Sequence, residues 1–433
     1  MLRVALQGAA VPAACYVLAR SVGEAHAAVV NGEVEESGWR ESIRSVQPQA
    51  RIIRDFSDPY IELLRLLHEA AEIEHALMIQ YLYAAFSVKP AYAGIVGHGG
   101  PNTNDLMGVA VQEMQHLGKV NQFLVALGAA PTLIRDDFPY EPDIYPFRFN
   151  LEPLTRASVA KYTWTEAPVG ATDSRSAKTV ADRSFCHDLE KALGAGSRPN
   201  YVGTLYDSVI AAVEELIATK DPSLPDLKPW LVALHEIQDE GEIGHFPFFK
   251  AVFLGTHEGF GERRDAWNRN PSDPLYPSFP LPVNPTAYLG HEHQIGDPKA
   301  RSLAWLGNLH YWILLILLHQ GYSTGSQQHI ALARAHMMGA FWSLARKLAS
   351  IGAGMPFDPL GLGYAPGVTR ESNLRLLSRL LDEADQMEKR ITATLPADYP
   401  ADCCRATRSA LAQLSDRIAT ARGPVEPWDD GLA

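Results

Sequence analysis

Two Glu-x-x-His motifs constrain the fold of this chain more than any other feature of its sequence. Glu113 and His116 form the first motif, Glu242 and His245 form the second, and both motifs lie on apolar stripes with helical spacing. Residues three apart share one face of a helix, so a carboxylate oxygen and an imidazole nitrogen can meet one ion. Charged groups are rarely buried without partners. The motifs therefore predict two helices that pack around a common polar centre.

Four segments carry the apolar periodicity that such a bundle needs. Between the second and the third, the residues from Pro131 to Pro199 are rich in Pro, Asp and Thr and predict a long, largely irregular crossover with one short helix from Thr155 to Thr165. Two helical hairpins joined by a long crossover are typical of one class of four-helix bundle. The four segments run from Pro59 to Ser87, from Asn104 to Leu127, from Tyr201 to Thr219 and from Trp230 to Leu254.

The chain outside these helices divides into three further parts. Residues 1–50 form an N-terminal extension of unknown role, 51–255 the bundle, 256–300 a Pro-rich connection, and 301–425 a helical lobe packed on the bundle. No alternating pattern of strand length occurs, so we expect an all-α fold with little sheet. The helices of the lobe are predicted from Arg301 to Gln320, from Gln328 to Ile351, from Arg370 to Thr394 and, more weakly, from Cys403.

Composition excludes several functional classes. A formal charge of −12 without basic segments argues against nucleic acid as a partner. The four cysteines lack the spacing of a disulfide or zinc framework, which favours a reducing cytoplasm. The apolar run from Leu303 to Leu318 contains Asn308 and His310 and is too short to cross a bilayer. We expect it to be a buried core helix and expect no membrane partner.

The other two helices of the bundle should each add a carboxylate, because two Glu-x-x-His motifs plus two such carboxylates are the ligands of di-iron and di-manganese bundles. Glu74 provides the first and precedes Glu113 by 39 residues (113 − 74). The same count back from Glu242 reaches position 203 (242 − 39), which is Gly203, next to Thr204. Neither residue supplies a carboxylate, so the third helix lacks the expected ligand.

Asp207 and Glu214 are the substitutes that the third helix offers. They lie seven residues apart and therefore share a helix face. The count does not select either of them, and solvent-facing helix charges are the simpler interpretation. The same simpler interpretation applies to His235 and His75, while a buried ion pair is the alternative for the first motif.

Several segments of this sequence resemble the ferritin-like domain family named after iminophenyl-pyruvate dimer synthase. They are IEHALMIQYLYA, VQEMQHLGKVNQFLVALGAAP and DEGEIGHFPFF, and the resemblance spans roughly Asp55 to Thr394. It implies a ferritin-like four-helix bundle with a long crossover loop, and it expects a glutamate where this chain has Thr204. Because of that departure, the site is compatible with a single metal ion or with two ions that have unequal sets of ligands. The metal ligands that it implies are Glu74, Glu113, His116, Glu242 and His245.

The ligand set predicts one or two iron ions, with manganese as the alternative. Our leading hypothesis is a cytoplasmic oxidoreductase, as a monomer or a homodimer, that oxidises a small molecule with dioxygen or peroxide. Glu113 or Glu242 would then bridge the metals. The resemblance implies an aromatic or amino-acid-derived substrate, coupled oxidatively in bacterial natural-product biosynthesis. The alternatives are a non-catalytic metal-binding or ligand-binding protein and a metal-free bundle that binds an organic ligand.

Overall fold

A computed structural model describes most of the chain after its first fifty residues. The described residues are 54–98, 100–140, 145, 147–168, 170–194, 202–360 and 370–417. Contacts divide the chain after Gln49, and all described residues belong to the second unit, Ala50–Ala433. The predicted extension over 1–50 therefore lies outside the described residues, and its role stays open.

Helices are the regular secondary structure of the described residues, which confirms the predicted all-α class. Pairing between extended segments in the described residues consists of three isolated β-bridges. Short helical turns occur at Pro90–Tyr92, Ala93–Val96, Glu258–Phe260, Ala266–Asn268 and Thr392–Thr394. Two segments, Glu240–His245 and Met337–Phe341, are π-helical. The longer helices are α1 (Pro59–Ser87), α2 (Leu106–Ala126), α3 (Arg156–Thr165), α4 (Val180–Leu193), α5 (Val202–Thr219), α6 (Lys228–Asp239), α7 (Phe246–Phe253), α8 (Pro298–Thr324), α9 (Gln327–His336), α10 (Trp342–Ser350), α11 (Arg370–Ile391) and α12 (Cys403–Arg417).

Side-chain caps explain where the first two bundle helices begin. The Asp58 carboxylate accepts hydrogen bonds from the N–H groups of Tyr60 and Ile61. The Asp105 carboxylate accepts one from the N–H of Gly108. Such caps satisfy amide groups that have no partner within the helix. Both helices begin within two residues of the predicted positions.

The bundle consists of α1, α2, α5 and a fourth helical rod in which α6, the segment Glu240–His245 and α7 follow one another. α1 packs along α2 and α5, α6 packs on α5 and α2, and α3 packs on α7. The C-terminal helices cover the outer side of this bundle, with α8 against α2 and α10 against α1. As a result, α1 is buried over most of its length.

The crossover contains one helix that the sequence pattern did not predict. α4 lies inside the stretch expected to be irregular, and the Thr179 hydroxyl caps its beginning. It buries only Phe185, Cys186 and Leu189. So narrow an apolar stripe among charged residues produces a weak periodic signal.

The long apolar helix α8 forms the centre of the C-terminal lobe. α9, α10 and α11 all pack against it. Among the described residues, α8 is the helix whose length and hydropathy would permit a membrane crossing, and 78% of its most apolar stretch is buried by the rest of the protein. Such burial is what we expect of a core helix.

Candidate metal centre

Four of the predicted ligands meet in the interior of the bundle. Glu74 on α1, Glu113 and His116 on α2, and His245 are each at most 2% exposed. His116 Nδ1 lies 3.1 Å from Glu113 Oε2 and 3.5 Å from Glu74 Oε2. His245 Nδ1 lies 3.0 Å from Glu113 Oε1. The bundle thus brings residues from three helical rods to one point.

Glu166 joins these residues, although the sequence analysis did not identify it. It directly follows the last residue of α3, is buried, and places Oε2 3.4 Å from His245 Nδ1. A carboxylate at the carboxyl end of a helix is disfavoured by the helix dipole. This unfavourable position is the local signal that could have identified Glu166.

The five side chains form two groups that share Glu113. Glu74, Glu113 and His116 form one group, and Glu113, Glu166 and His245 form the other, with the ligand atoms of each within 4.8 Å of one another. Glu113 directs Oε2 to the first histidine and Oε1 to the second. Its position between the groups is that of a carboxylate able to bridge two ions.

The outer nitrogens of both histidines have hydrogen-bond acceptors. His116 Nε2 lies 2.9 Å from Glu240 Oε2, and His245 Nε2 lies 3.3 Å from the amide oxygen of Gln112. Each ring therefore donates its Nε2–H outwards and directs Nδ1 to the carboxylates. An outer acceptor of this kind orients a histidine that binds a metal.

Two tyrosines hold the outer oxygens of the carboxylates. The Tyr206 hydroxyl donates to Glu74 Oε1, and the Tyr81 hydroxyl donates to Glu166 Oε1. Burial raises the pKa of both phenols, so they stay protonated and remain donors. The second oxygen of each carboxylate is left to face a histidine.

The second Glu-x-x-His motif lies in the π-helical segment Glu240–His245, where the predicted α-helical spacing is wrong. The Phe246 N–H donates to the Gly241 carbonyl, five residues earlier. A wider turn changes which residues share a face. Glu240 consequently reaches His116, whereas Glu242 belongs to neither ligand group.

Glu242 lies half-buried against α5. A Cβ atom added at Gly203 would approach Glu242 Oε1 to 2.6 Å. Burial, and then the negative charges of the nearby Asp207 and Asp239, raise the pKa of Glu242. Its metal-ligand role stays a prediction that this geometry does not support.

The substitutes considered on α5 do not reach the two groups. Thr204 is buried, Glu214 is exposed, and the exposed Asp207 accepts a hydrogen bond of 2.7 Å from Gln238 Nε2. Glu166, from the crossover, is instead the second carboxylate beside His245.

The two histidines expected to face solvent differ from each other. His235 is exposed, as expected, but His75 is fully buried and its Nε2 lies 2.7 Å from the Tyr311 hydroxyl. The prediction for His75 was wrong because α8, which carries Tyr311, covers that side of α1.

Glu74 and His245 both retain a proton in the metal-free cluster, for different reasons. Burial, and then the charge of Glu113, raise the pKa of Glu74 to about 8. Burial opposes a charge on His245, but the Glu113 carboxylate outweighs it and raises the pKa of that imidazole to about 9. A metal ion would displace these protons, because metal ligands must be deprotonated.

The residues present fit a divalent metal. Glu74 Oε2 and His245 Nδ1 are buried without an aligned hydrogen bond. A cavity of about 20 Å³ lies among the cluster residues, which is room for one particle the size of a water molecule. Carboxylate and imidazole donors suit iron, manganese and zinc. A bound cation would satisfy both unpaired atoms.

Comparisons with known proteins agree with this architecture. The Ferritin-like family model matches residues 67–244. This part of the chain is a ferritin-like domain. Dichlorochromopyrrolate synthase from Lentzea aerocolonigenes is 28% identical over 344 aligned residues, which cover 64% of this chain and 32% of that protein. No solved structure matches the chain.

The ferritin-like domain contains most of the cluster. Glu74, Glu113, His116 and Glu166 lie within the matched residues, and His245 follows the last of them. The resemblance inferred from the sequence is confirmed at the level of the ferritin-like domain. The chain spans about a third of the length of the synthase that it matches.

Proposed function

We propose that the ferritin-like domain is the centre of a non-haem di-iron oxidoreductase that acts on a small aromatic or amino-acid-derived molecule. The observation that carries this proposal is the buried Glu113 carboxylate shared between two groups of ligand atoms. A mononuclear site would not need a second carboxylate and imidazole at Glu113 Oε1. Manganese is the alternative ion, because it accepts the same donors.

The side chains divide naturally between two ions. Glu74 and His116 would hold one ion, Glu166 and His245 the other, and Glu113 would contact both. Bound iron would supply the electron transfer for oxidation of the substrate, with dioxygen or peroxide as the oxidant.

The remaining residues keep this arrangement in place. Tyr206 and Tyr81 orient the two terminal carboxylates, and Glu240 and Gln112 orient the two imidazoles. Such outer contacts contribute strongly to metal affinity. Burial of the five ligands by the bundle and by α3 limits access of water to reactive species.

The substrate class is supported by the relatives. The similar protein is a synthase, and the sequence segments resemble the iminophenyl-pyruvate dimer synthase family. We therefore propose oxidative coupling of an amino-acid-derived imine in the cytoplasm of a bacterium that makes natural products. Because the chain covers only 32% of the synthase, the proposal takes from that relative the class of reaction and not its particular substrate.

Metal content by elemental analysis tests the proposal directly. The full chain is reconstituted anaerobically with ferrous iron, and the Glu113→Gln variant is treated in parallel. We expect about two irons per wild-type chain, loss of most of this iron in the variant, and iron oxidation with dioxygen consumption when air is admitted. An iron-free wild-type protein, or equal iron in both proteins, would refute the proposal.

A separate apolar cavity favours a second candidate function, the binding of an apolar ligand without turnover. The cavity has a volume of about 370 Å³ and lies between α1 and α2 on one side and α8 and α9 on the other. Cavities of this size and composition are typical of small-molecule sites, and flexible Met side chains adapt to varied ligands. Its lining includes Met78, Met114, Met337 and Phe341.

Binding of a fluorescent aromatic probe separates the two candidates. The non-catalytic function predicts equal affinity in the wild type and in Glu113→Gln, with no oxidation in either protein. Ala333→Phe, which fills the cavity from α9, is the matched variant that should abolish binding while keeping the iron.

A further inference from the structure

A second cluster of potential ligands lies in the C-terminal lobe, away from the ferritin-like domain. It brings together His310 on α8, His336 at the end of α9 and Cys403 at the beginning of α12. Both histidines are fully buried and Cys403 is half-buried. The two Nδ1 atoms lie 2.9 Å apart, and Cys403 Sγ lies 3.6 Å from His336 Nδ1.

The outer contacts of His310 determine which of its nitrogens carries the proton. The Tyr399 hydroxyl donates to Glu388 Oε1 at 2.5 Å, and His310 Nε2 lies 2.7 Å from the same hydroxyl oxygen. Since this hydroxyl has only one proton, its oxygen must accept from His310. The proton of the ring is therefore on Nε2, and Nδ1 carries a lone pair.

The same reasoning applies to His336. The Thr407 hydroxyl donates to the Cys403 carbonyl at 3.0 Å, and His336 Nε2 lies 2.8 Å from the Thr407 oxygen. The ring must donate Nε2–H to this oxygen. Its Nδ1 therefore also carries a lone pair directed inwards.

Two lone pairs that face each other at 2.9 Å repel unless a cation lies between them. Burial lowers the pKa of His336 to about 4 and also lowers that of His310, in agreement with neutral rings. The metal-free alternative must place one proton between the Nδ1 atoms. If both rings stay neutral, the ring that donates this proton must accept a hydrogen bond at its Nε2 instead of donating one. That requires either a protonated Glu388 behind Tyr399 or a Thr407 hydroxyl turned away from the Cys403 carbonyl.

We propose that His310 Nδ1, His336 Nδ1 and the Cys403 thiolate bind a zinc ion in the C-terminal lobe. A tetrahedral zinc with ordinary bond lengths separates two nitrogen ligands by about 3.3 Å and a nitrogen and a sulfur ligand by about 3.6 Å. The cluster requires only a slight opening between the rings to reach this geometry. Binding displaces the thiol proton of Cys403 to solvent, and water completes the tetrahedron.

The contacts around the ligands have the form expected of a zinc site. Each imidazole donates its outer N–H to a hydroxyl, and behind Tyr399 the Glu388 carboxylate accepts the next hydrogen bond. Outer acceptors of this kind fix the orientation of metal-binding histidines.

The proposed ion joins the consecutive helices α8 and α9 to α12, whose Cys403 follows His336 by 67 residues. Zinc at such a junction stabilises a fold by linking its helices. His336 directly precedes the π-helical segment Met337–Phe341, which lines the apolar cavity. The site would thereby also hold one wall of that cavity.

Cobalt substitution tests this proposal on the full chain. Metal-free protein is titrated anaerobically with Co²⁺ and its absorption spectrum is recorded. We expect a thiolate-to-cobalt charge-transfer band, which the carboxylate and imidazole ligands of the ferritin-like domain cannot produce. Zinc should abolish this band by displacing cobalt, in line with its tighter binding at sites of this kind.

Matched variants assign the band to its ligands. Cys403→Ser should abolish it, whereas Cys186→Ser and the ferritin-like domain variant Glu113→Gln should retain it. A wild-type protein without the band overturns the proposal, even if the variants fold poorly. A band that survives Cys403→Ser and disappears in Cys404→Ser would overturn the assignment of the thiolate. Retention in Glu113→Gln keeps this result independent of the proposed oxidoreductase.

Discussion

At the scale of single residues, the two oxygens of each buried carboxylate have different partners. Tyr206 and Tyr81 hold one oxygen of Glu74 and of Glu166, and the other oxygen faces a histidine. Glu113 has a histidine at each oxygen. Two of these carboxylates are therefore arranged as terminal ligands and one as a bridge.

Replacing Glu166 should remove one of the two ions. Glu166→Gln keeps the size of the side chain but eliminates the charge near His245, so we expect about half of the bound iron to be lost. Glu242→Gln is the matched control and should retain its iron, because Glu242 belongs to neither group. Elemental analysis of both variants checks this expectation, and the reverse result would restore Glu242 as the ligand.

The metal-free protein should lose stability as the pH rises from about 5 to 9. The pKa of His245 is raised to about 9, so its contribution is complete below its unfolded value near 6.5 and is lost through pH 9. Glu74, with a pKa raised to about 8, acts in the same direction because its ionisation is unfavourable in the folded chain. Urea unfolding of the chelator-treated protein at several pH values measures the trend.

Metal affinity should show the opposite pH dependence. Each ion must displace the protons held by Glu74 and His245, so affinity should increase with pH up to about 9 and binding should release protons. Calorimetric titration in buffers of different ionisation enthalpy counts these protons. Binding without proton release would contradict the protonation states inferred for the cluster.

At the scale of secondary-structure elements, the π-helical segment Glu240–His245 decides which residues of the fourth rod reach the centre. π-helical turns are frequent at functional sites. This one directs Glu240 to His116 and His245 to Glu113, and Gly244 within it packs closely on Thr103.

A side chain at Gly244 should displace the π-helical segment. In Gly244→Ala, the added Cβ would lie 2.5 Å from Thr103 Cγ2, so we expect a loss of about 1–3 kcal/mol in unfolding free energy and weaker binding of the ion at His245. Chemical denaturation and metal content measure both effects. Thr103→Ser removes the clashing methyl group, so the double variant Gly244→Ala with Thr103→Ser should regain stability and metal content. If it does not, the steric explanation is contradicted.

At the scale of the whole molecule, buried polar contacts join the Pro-rich connection to the C-terminal lobe. The buried Asp358 carboxylate accepts hydrogen bonds from the Ala287 N–H at 2.9 Å and from Asn308 Nδ2 at 2.7 Å. Its backbone carbonyl accepts another from Trp312 Nε1 at 2.7 Å. Both Asn308 and Trp312 lie on α8, the helix that also packs on α2 of the bundle.

Removing the Asp358 carboxylate should destabilise the whole unit. Asp358→Ala leaves two buried donors without an acceptor, and we expect a cost of about 3 kcal/mol in unfolding free energy. Asp358→Asn keeps one acceptor oxygen and should lose clearly less. Thermal and urea unfolding measure the difference, and equal stability of the two variants would show that the acceptor is not needed.

The sequence by itself determined the elements whose signals are local. Helical periodicity predicted α1 with its observed bounds, the first of which is capped by Asp58, and apolar stripes identified Glu113 and His116 as buried. Periodicity and capping depend only on neighbours along the chain, so they can be recognised without a structure.

Only the tertiary structure decided which distant residues complete each cluster. Glu166 reaches the ferritin-like centre because α3 packs on α7, and Glu240 rather than Glu242 reaches His116 because a π-helical turn widens the spacing. His310 and Cys403 meet because α9 and α11 pack on α8 and α12 packs on α9 and α11. Contacts of this kind arise from helix packing between segments far apart in sequence, and residue spacing does not encode them.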